Sequence, residues 1–248
     1  ASLRSDEGTS WSGSEDCLYL NIWSPKYSPS ELGGLEKKLP VMMWIHGGGN
    51  AIGDAEVYDP SLLSSVHDVI VVTIQYRMGP LGWFRHPALT NTDSSREGKS
   101  GNFGTLDTIM ALRWIKENIE SFGGDKHNVT VFGESAGGHN TAAIFSSPLA
   151  RGLFHKAIIQ SGIVSHSSIQ EAESYLPKEG VAGTVSSKEI FSRILISSKK
   201  AITLVESKEL QNSMTNNEIA NLLRNTPPED IFTAFKESSP NKSGMTRV

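Results

Sequence analysis

The chain has a single cysteine among its 248 residues, no long apolar run and no excess of positive charge. A transmembrane helix needs about 20 consecutive apolar residues, so no membrane span is predicted. The formal net charge of -4 argues against a nucleic-acid-binding surface, which is normally basic. The seven histidines show no metal-type spacing, and we therefore expect no metal site.

The overall composition is that of a soluble enzyme domain. Hydrophobic residues make up 38% of the chain and charged residues 20%, which suits a sizeable core and excludes a wholly disordered chain. No signal peptide is visible, and the polar start suggests that an N-terminal piece has been lost. The compartment stays open, with secretion and a periplasmic location among the alternatives.

A nucleophile elbow is the most informative motif of the chain. Gly133-Glu134-Ser135-Ala136-Gly137 follows a β-branched and aromatic run and precedes a stretch of small residues, so it stands between a strand and a helix. A serine at such a turn is strained and exposes its hydroxyl, while glycines two positions either side let the backbones cross. A plain tight turn is the alternative, which the strand–helix context disfavours.

A second motif supplies hydrogen-bond donors. A buried-strand pattern over residues 40–45 runs into His46-Gly47-Gly48-Gly49-Asn50. Acyl transfer places negative charge on a carbonyl oxygen, which preorganised main-chain N–H groups stabilise. Gly48 and Gly49 are the candidate donors, joined by the N–H of Ala136. A phosphate-binding loop is the alternative, but no Gly-Lys-Ser/Thr follows.

Two regions are predicted, residues 1–166 and residues 167–248. The first alternates strands with helices and loops, as a mostly parallel sheet requires. Its strand-like runs are 18–23, 41–45, 69–76, 129–132 and 157–160. Its clearest helix is 105–120, with an apolar stripe of Leu112, Ile115 and Ile119 that Met110 and Trp114 widen. The second region is polar and helical, with capping boxes beginning at Ser186, Thr215 and Thr226.

Five segments in order resemble the type B carboxylesterase family, which includes the cholinesterases. Asn50 and the 102–105 segment resemble bacterial members more than animal ones. The five segments are residues 14–23, 46–49, 101–107, 122–125 and 132–138.

This resemblance implies an α/β class, namely an α/β-hydrolase fold with a mostly parallel central sheet, incomplete at both ends, and a helical region after the elbow half. It implies a serine esterase that hydrolyses a small-molecule ester without a cofactor, with Ser135 as the nucleophile and Gly48, Gly49 and Ala136 as the oxyanion hole. Glu134 either assists electrostatically or fixes the elbow backbone. In disulfide-bonded members the cysteine matching Cys17 pairs with an upstream one, which leaves the redox compartment open.

The resemblance also implies that the triad acid and histidine lie beyond residue 248, so we expect a fragment that is inactive alone. A non-catalytic adhesion protein and a truncated pseudoenzyme are the alternatives. His139 is the internal candidate for the base, one turn after Ser135, but we expect its imidazole to point away from the hydroxyl.

Overall fold

The computed structural model describes residues 2–4, 10–26, 38–164, 166–175 and 185–238. The chain divides into two compact units. The sheet unit comprises the described residues within Ser14–Arg77 and Gly104–Ser165. The helical unit comprises the described residues within Ala1–Gly13, Met78–Phe103 and His166–Val248. The regions 1–166 and 167–248 expected from the sequence stay a prediction.

The sheet unit is built on a five-stranded sheet in the order β3-β5-β4-β6-β7. Only the β3–β5 pair is antiparallel, so the sheet is mostly parallel, as predicted. Strand β5, which lies between β3 and β4, is buried throughout, as is typical of a strand in a sheet covered on both faces. The strands are β3 (Leu20–Trp23), β4 (Leu39–Ile45), β5 (Ile70–Ile74), β6 (Gly124–Glu134) and β7 (Lys156–Gln160).

The helices of the sheet unit lie between these strands along the chain. The unit contains α1 (Ser61–His67), α4 (Phe103–Asn118) and α5 (Ala136–Ser146), together with 3-10 turns at Ala55–Val57, Ile119–Phe122 and Pro148–Ala150. The α4 stripe predicted from Leu112, Ile115 and Ile119 is fully buried. Met110 was wrongly included, because it is 57% exposed and lies on the opposite side of the helix from Leu112.

The helical unit contains a short antiparallel pair and a series of helices. The pair is β1 (Ser2–Arg4) and β2 (Ser10–Ser12). The helices are α2 (Gly79–Gly82), α3 (Pro87–Thr92), α6 (Ile169–Glu173), α7 (Ser187–Ser197), α8 (Leu204–Ser213), α9 (Asn216–Asn225) and α10 (Pro228–Ser238). A core around Phe191, Leu195, Ile219 and Phe235 joins α7, α9 and α10.

Reciprocal capping boxes begin several helices of this unit. The boxes predicted at Ser186 and Thr215 are present, and Ser168 and Thr203 form two more. Thr226 was predicted to cap α10, but it ends α9, and its hydroxyl donates 2.8 Å to the main-chain oxygen of Leu222.

Candidate active site

Ser135 occupies a strained turn between β6 and α5. Its φ of 55° and ψ of -119° lie outside the regions that residues with a side chain normally adopt. Its N–H donates 3.0 Å to the main-chain oxygen of Gln160, which ties the turn to the end of β7. The neighbouring strand therefore helps to hold the strained backbone that presents this side chain.

The glycines of the elbow lie where backbones come too close for a side chain. A Cβ on Gly133 would lie 2.8 Å from the main-chain oxygen of Ile45, and one on Gly137 would lie 2.7 Å from that of His46. Both distances are shorter than real Cβ contacts. Gly138 and Gly162 approach each other similarly at the next crossing. The glycines two positions before and two positions after Ser135 therefore lie where the backbones of β4, β6 and α5 cross.

The glycine loop, residues 46–50, follows β4 directly. Gly48, Gly49 and Asn50 have φ values of 107°, 62° and 57°, three consecutive residues with positive φ. Asparagine tolerates this conformation better than most residues with a side chain. The main-chain oxygen of Gly48 accepts from the N–H groups of Ala51 and Ile52 at 3.1 and 3.0 Å, which closes the loop into a tight turn.

The glycine loop lies against the elbow. A Cβ on Gly47 would be 2.8 Å from the main-chain oxygen of Glu134 and 3.3 Å from the Cβ of Ser135. No positive φ is involved at Gly47, so close approach is the reason for a glycine here. The same Cβ would lie 3.3 Å from Oε2 of the exposed Glu134, so this carboxylate also lies beside the loop.

Ala136 is the first residue of α5 and is buried. The first N–H groups of a helix have no partner within the helix and carry partial positive charge. The structure therefore brings three predicted features into one place: the Ser135 side chain, the N-terminus of α5 and the glycine loop.

His46 and Tyr76 brace the glycine loop from the sheet side. His46 is buried, and its Nδ1 donates to the main-chain oxygen of Gly47 at 2.8 Å. Its ring stacks on Tyr76 with centroids 4.5 Å apart, and the Tyr76 hydroxyl donates 2.7 Å to the main-chain oxygen of His46. Burial lowers the pKa of His46 and raises the pKa of Tyr76. Both groups are therefore neutral around pH 7.

A buried amide pair joins the glycine loop to the elbow helix. Nδ2 of Asn140 donates to Oδ1 of Asn50 at 2.9 Å, and both residues are buried. Sequence reasoning missed this contact. The available signal was an asparagine after the triple glycine together with a second asparagine in a helix rich in small residues.

His139 contacts the main chain of Ser135. Its Nδ1 donates to the Ser135 main-chain oxygen at 2.7 Å, and that oxygen also accepts the His139 N–H at 3.0 Å. The imidazole was expected to point away from the Ser135 hydroxyl, and the structure places it against the main-chain oxygen of Ser135 instead. It is engaged by a backbone carbonyl, which is a helix-stabilising contact.

Asp107 and Asp125 make structural hydrogen bonds within the sheet unit. Asp107 on α4 accepts from the N–H, Nε and Nη2 of Arg77 at 3.0, 2.8 and 2.7 Å. This bidentate bond raises the pKa of Arg77. Asp125 accepts from the main-chain N–H of His127 at 2.8 Å. Neither carboxylate is shown in contact with Ser135.

The described residues contain neither a metal-binding cluster nor a membrane-spanning helix. No group of three His, Cys, Asp or Glu residues within them could hold a metal ion. Over the same ranges, none of the helices has the length and apolar character needed to cross a membrane.

Known proteins match this chain along most of its length. The model of the carboxylesterase family matches residues 2–246. Carboxylesterase 1C of Rattus norvegicus is 40% identical over 224 residues, which cover 89% of this chain and 38% of that protein. The carboxylesterase of Geobacillus stearothermophilus superposes with a TM-score of 0.68 at 35% identity, covering 92% of this chain and 41% of that one. An esterase of the anaerobic Clostridium hathewayi that can hydrolyse aliphatic aromatic polyesters gives a TM-score of 0.65 at 34% identity, over 94% of this chain and 40% of that one.

These matches confirm the α/β-hydrolase fold and the resemblance to carboxylesterases. The chain spans about a quarter to two fifths of the length of the curated relatives it matches, from 24% to 38%. From the strand order, the elbow and the family match together, we conclude that this chain belongs to the carboxylesterase family.

Proposed function

We propose that the protein containing this chain hydrolyses small-molecule carboxylic esters through a covalent acyl-enzyme on Ser135. The serine oxygen attacks the ester carbonyl, the C–O bond to the leaving alcohol breaks, and the alcohol takes up a proton. Water then attacks the acyl-enzyme and releases the carboxylic acid, which restores the serine. The reaction needs neither a cofactor nor a metal ion.

The contact between the glycine loop and the elbow is the observation that carries this proposal. A Cβ on Gly47 would lie 3.3 Å from the Cβ of Ser135, so the glycine loop is immediately beside the strained serine. Glycines leave the main-chain N–H groups of this loop uncovered by side chains. A serine at a strained strand-to-helix turn with such a loop is the arrangement that acyl transfer requires.

The oxyanion is proposed to bind to the N–H groups of Gly48, Gly49 and Ala136. The first two belong to the loop with successive positive φ values, and the third is at the start of α5. Donors fixed before reaction need no reorganisation when negative charge develops, which makes them effective stabilisers of the transition state. The partial positive charge at the start of α5 acts in the same direction.

The serine also needs a general base, and we propose that a histidine oriented by a carboxylate supplies it, as the family resemblance implies. His139 is not assigned this role, because its Nδ1 is engaged by the main-chain oxygen of Ser135. We propose that Glu134 assists by stabilising the imidazolium that forms during attack. The exposed carboxylate beside the glycine loop is suited to this.

The proposal is tested on the full-length protein with the variant Ser135→Ala. Hydrolysis of p-nitrophenyl butyrate is followed in the first turnovers and at steady state. We expect the burst to disappear and kcat to fall by about a millionfold, the scale reported for loss of a serine nucleophile.

Ser146→Ala is the matched control. Ser146 is at the other end of α5, where its hydroxyl donates 3.1 Å to the main-chain oxygen of Ala142. Its loss should leave both burst and kcat near the wild-type values. A normal burst in Ser135→Ala would overturn the assignment of the nucleophile.

A further inference from the structure

The amide pair formed by Asn50 and Asn140 connects the two segments to which the oxyanion donors belong. Their side chains meet at 2.9 Å although the residues are 90 positions apart in the chain. The exposed fractions are 2% for Asn50 and 0% for Asn140, so water does not compete for this hydrogen bond. A bond of this kind is stronger in such surroundings than at a surface.

Each asparagine is adjacent to a proposed donor. Asn50 directly follows Gly49, and its φ of 57° continues the left-handed path of the loop. Asn140 lies four residues after Ala136 in α5, so both project from the same face of the helix. The start of α5 therefore provides one proposed oxyanion donor, the N–H of Ala136, and the next turn provides the side chain that bonds the loop carrying the other two.

The loop backbone also accepts hydrogen bonds from other side chains, including that of His46 Nδ1 to the main-chain oxygen of Gly47. The Tyr76 hydroxyl, just beyond β5, bonds the main-chain oxygen of His46, where the loop begins. The bonds from Ala51 and Ile52 to Gly48 are internal to the turn. The Asn50–Asn140 hydrogen bond connects the last residue of the glycine loop to α5.

Stability alone gives a poor reason for an asparagine at position 140. Within the part of the chain that the structure describes, Oδ1 of Asn140 is buried without a hydrogen-bond partner. An unsatisfied buried carbonyl is unfavourable, and an apolar side chain of similar size would avoid this cost. The amide is therefore better explained by what its Nδ2 holds than by packing.

We propose that Asn50 and Asn140 are positioning residues that keep the N–H groups of Gly48 and Gly49 in register with that of Ala136, an inference that rests on the proposed esterase function. Oxyanion donors act only within about 2.7–3.1 Å of the developing charge. A small displacement of the loop therefore weakens transition-state binding more than binding of the neutral ester. Loss of the pair lowers kcat and leaves KM nearly unchanged.

The test uses the full-length protein with Asn50→Gly, Asn140→Ala and the double variant. Glycine at position 50 accepts the positive φ, so it removes the amide without straining the backbone. Active sites are titrated with a fluorophosphonate, so that kcat is counted only for folded, reactive molecules. Affinity for a trifluoromethyl ketone, which forms an oxyanion on the enzyme, is measured beside affinity for a non-reactive ketone of the same shape.

Asn21→Ala is the matched control. Asn21 on β3 donates 3.2 Å to Oγ1 of Thr73 on β5, a side-chain bond between strands of the same unit. Its removal should lower the melting temperature and leave kcat per titrated site at the wild-type value.

We expect each single variant to lower kcat per titrated site by about tenfold to a hundredfold, with KM changed less than about threefold, given the cost of losing an oxyanion donor. Trifluoromethyl ketone affinity should fall in parallel, while that of the non-reactive ketone should not. The double variant should be no slower than the slower single variant, because both remove the same bond.

The outcomes separate the two proposals. Wild-type kcat per site in Asn50→Gly and Asn140→Ala, with only a melting-temperature loss like that of Asn21→Ala, overturns the positioning role alone. Single-variant effects that multiply in the double variant also overturn it. A wild-type protein that does not titrate at Ser135 overturns the proposed function and the positioning role together.

Discussion

Gly47 lies so close to Ser135 that a Cβ on the glycine would be 3.3 Å from the Cβ of the serine. The same Cβ would be 2.8 Å from the main-chain oxygen of Glu134. Because this oxygen belongs to the backbone, a side chain at position 47 could be accommodated only if the backbone of the loop or of the elbow moved. The loop and the elbow therefore form one packed unit, and the spacing between them is set by the absence of a single methyl group.

The first prediction is that Gly47→Ala separates the loop from the elbow. The added methyl group must displace the Glu134 carbonyl, so we expect kcat on p-nitrophenyl butyrate to fall by about a hundredfold, as for loss of an oxyanion donor. Steady-state kinetics of the full-length protein measures it. Gly152→Ala is the control, because its φ of 73° gives some strain while no atom lies within 4 Å. Equal kcat values for the two variants would contradict the account.

The second prediction concerns the brace beneath the loop. Tyr76→Phe removes the donor that bonds the main-chain oxygen of His46 at 2.7 Å. A buried carbonyl loses its partner, so the free energy of unfolding should fall by about 1–3 kcal/mol. Urea unfolding of the full-length protein measures the change. An unchanged midpoint would show that this bond does not hold the loop.

The third prediction separates the two roles left open for Glu134. Its side chain is exposed, so Glu134→Gln should leave the melting temperature unchanged. If the carboxylate stabilises a developing imidazolium, kcat should fall by about tenfold, which corresponds to about 1.4 kcal/mol. A lower melting temperature with unchanged kcat per titrated site would instead indicate that Glu134 only fixes the elbow backbone.

The fourth prediction is a pH dependence of stability from His86 in the helical unit. Its Nδ1 accepts from the N–H of Ala88 at 3.1 Å, and, among the described residues, its buried Nε2 has no hydrogen-bond partner. Burial, assisted by Lys188, lowers the pKa of His86 to about 4. The unfolded chain therefore binds a proton below about pH 6.5 that the folded chain does not.

Stability should accordingly fall as the pH drops from about 6.5 to 4, by up to about 1.4 kcal/mol per pH unit from this group. His86→Asn keeps a capping acceptor and removes the titration, so the slope over this range should flatten. The exposed His127→Asn serves as the control and should keep the wild-type slope. Chemical unfolding at several pH values measures all three proteins, and parallel slopes for wild type and His86→Asn would refute the assignment.

The elbow and the glycine loop could be predicted from the sequence because their constraints are local. Position 135 has a strained φ, and the backbone crossings at positions 133 and 137 leave no room for a side chain. Positions 48 and 49 have positive φ, which favours glycine. Few residue types are compatible with each of these backbone conformations, so the motif alone predicts the local geometry. The roles of these residues in catalysis stay predictions.

The Asn50–Asn140 contact could not be predicted in this way. It joins residues 90 positions apart, and neither periodicity nor turn chemistry pairs them. The first half of β6 was missed for a related reason. Residues 125–128 are polar, and they lie at a register shift between the pairs Leu39–Gly124 and Val41–Val129, so no alternating pattern marks them as a strand.

The central claim is that Ser135 is the nucleophile of an ester hydrolase. The most direct test is to treat the full-length protein with a fluorophosphonate and map the adduct by peptide mass spectrometry. The account predicts one adduct per molecule, on Ser135, with esterase activity lost in proportion to labelling. Full activity with an unlabelled Ser135, or stoichiometric labelling at another serine, would contradict it.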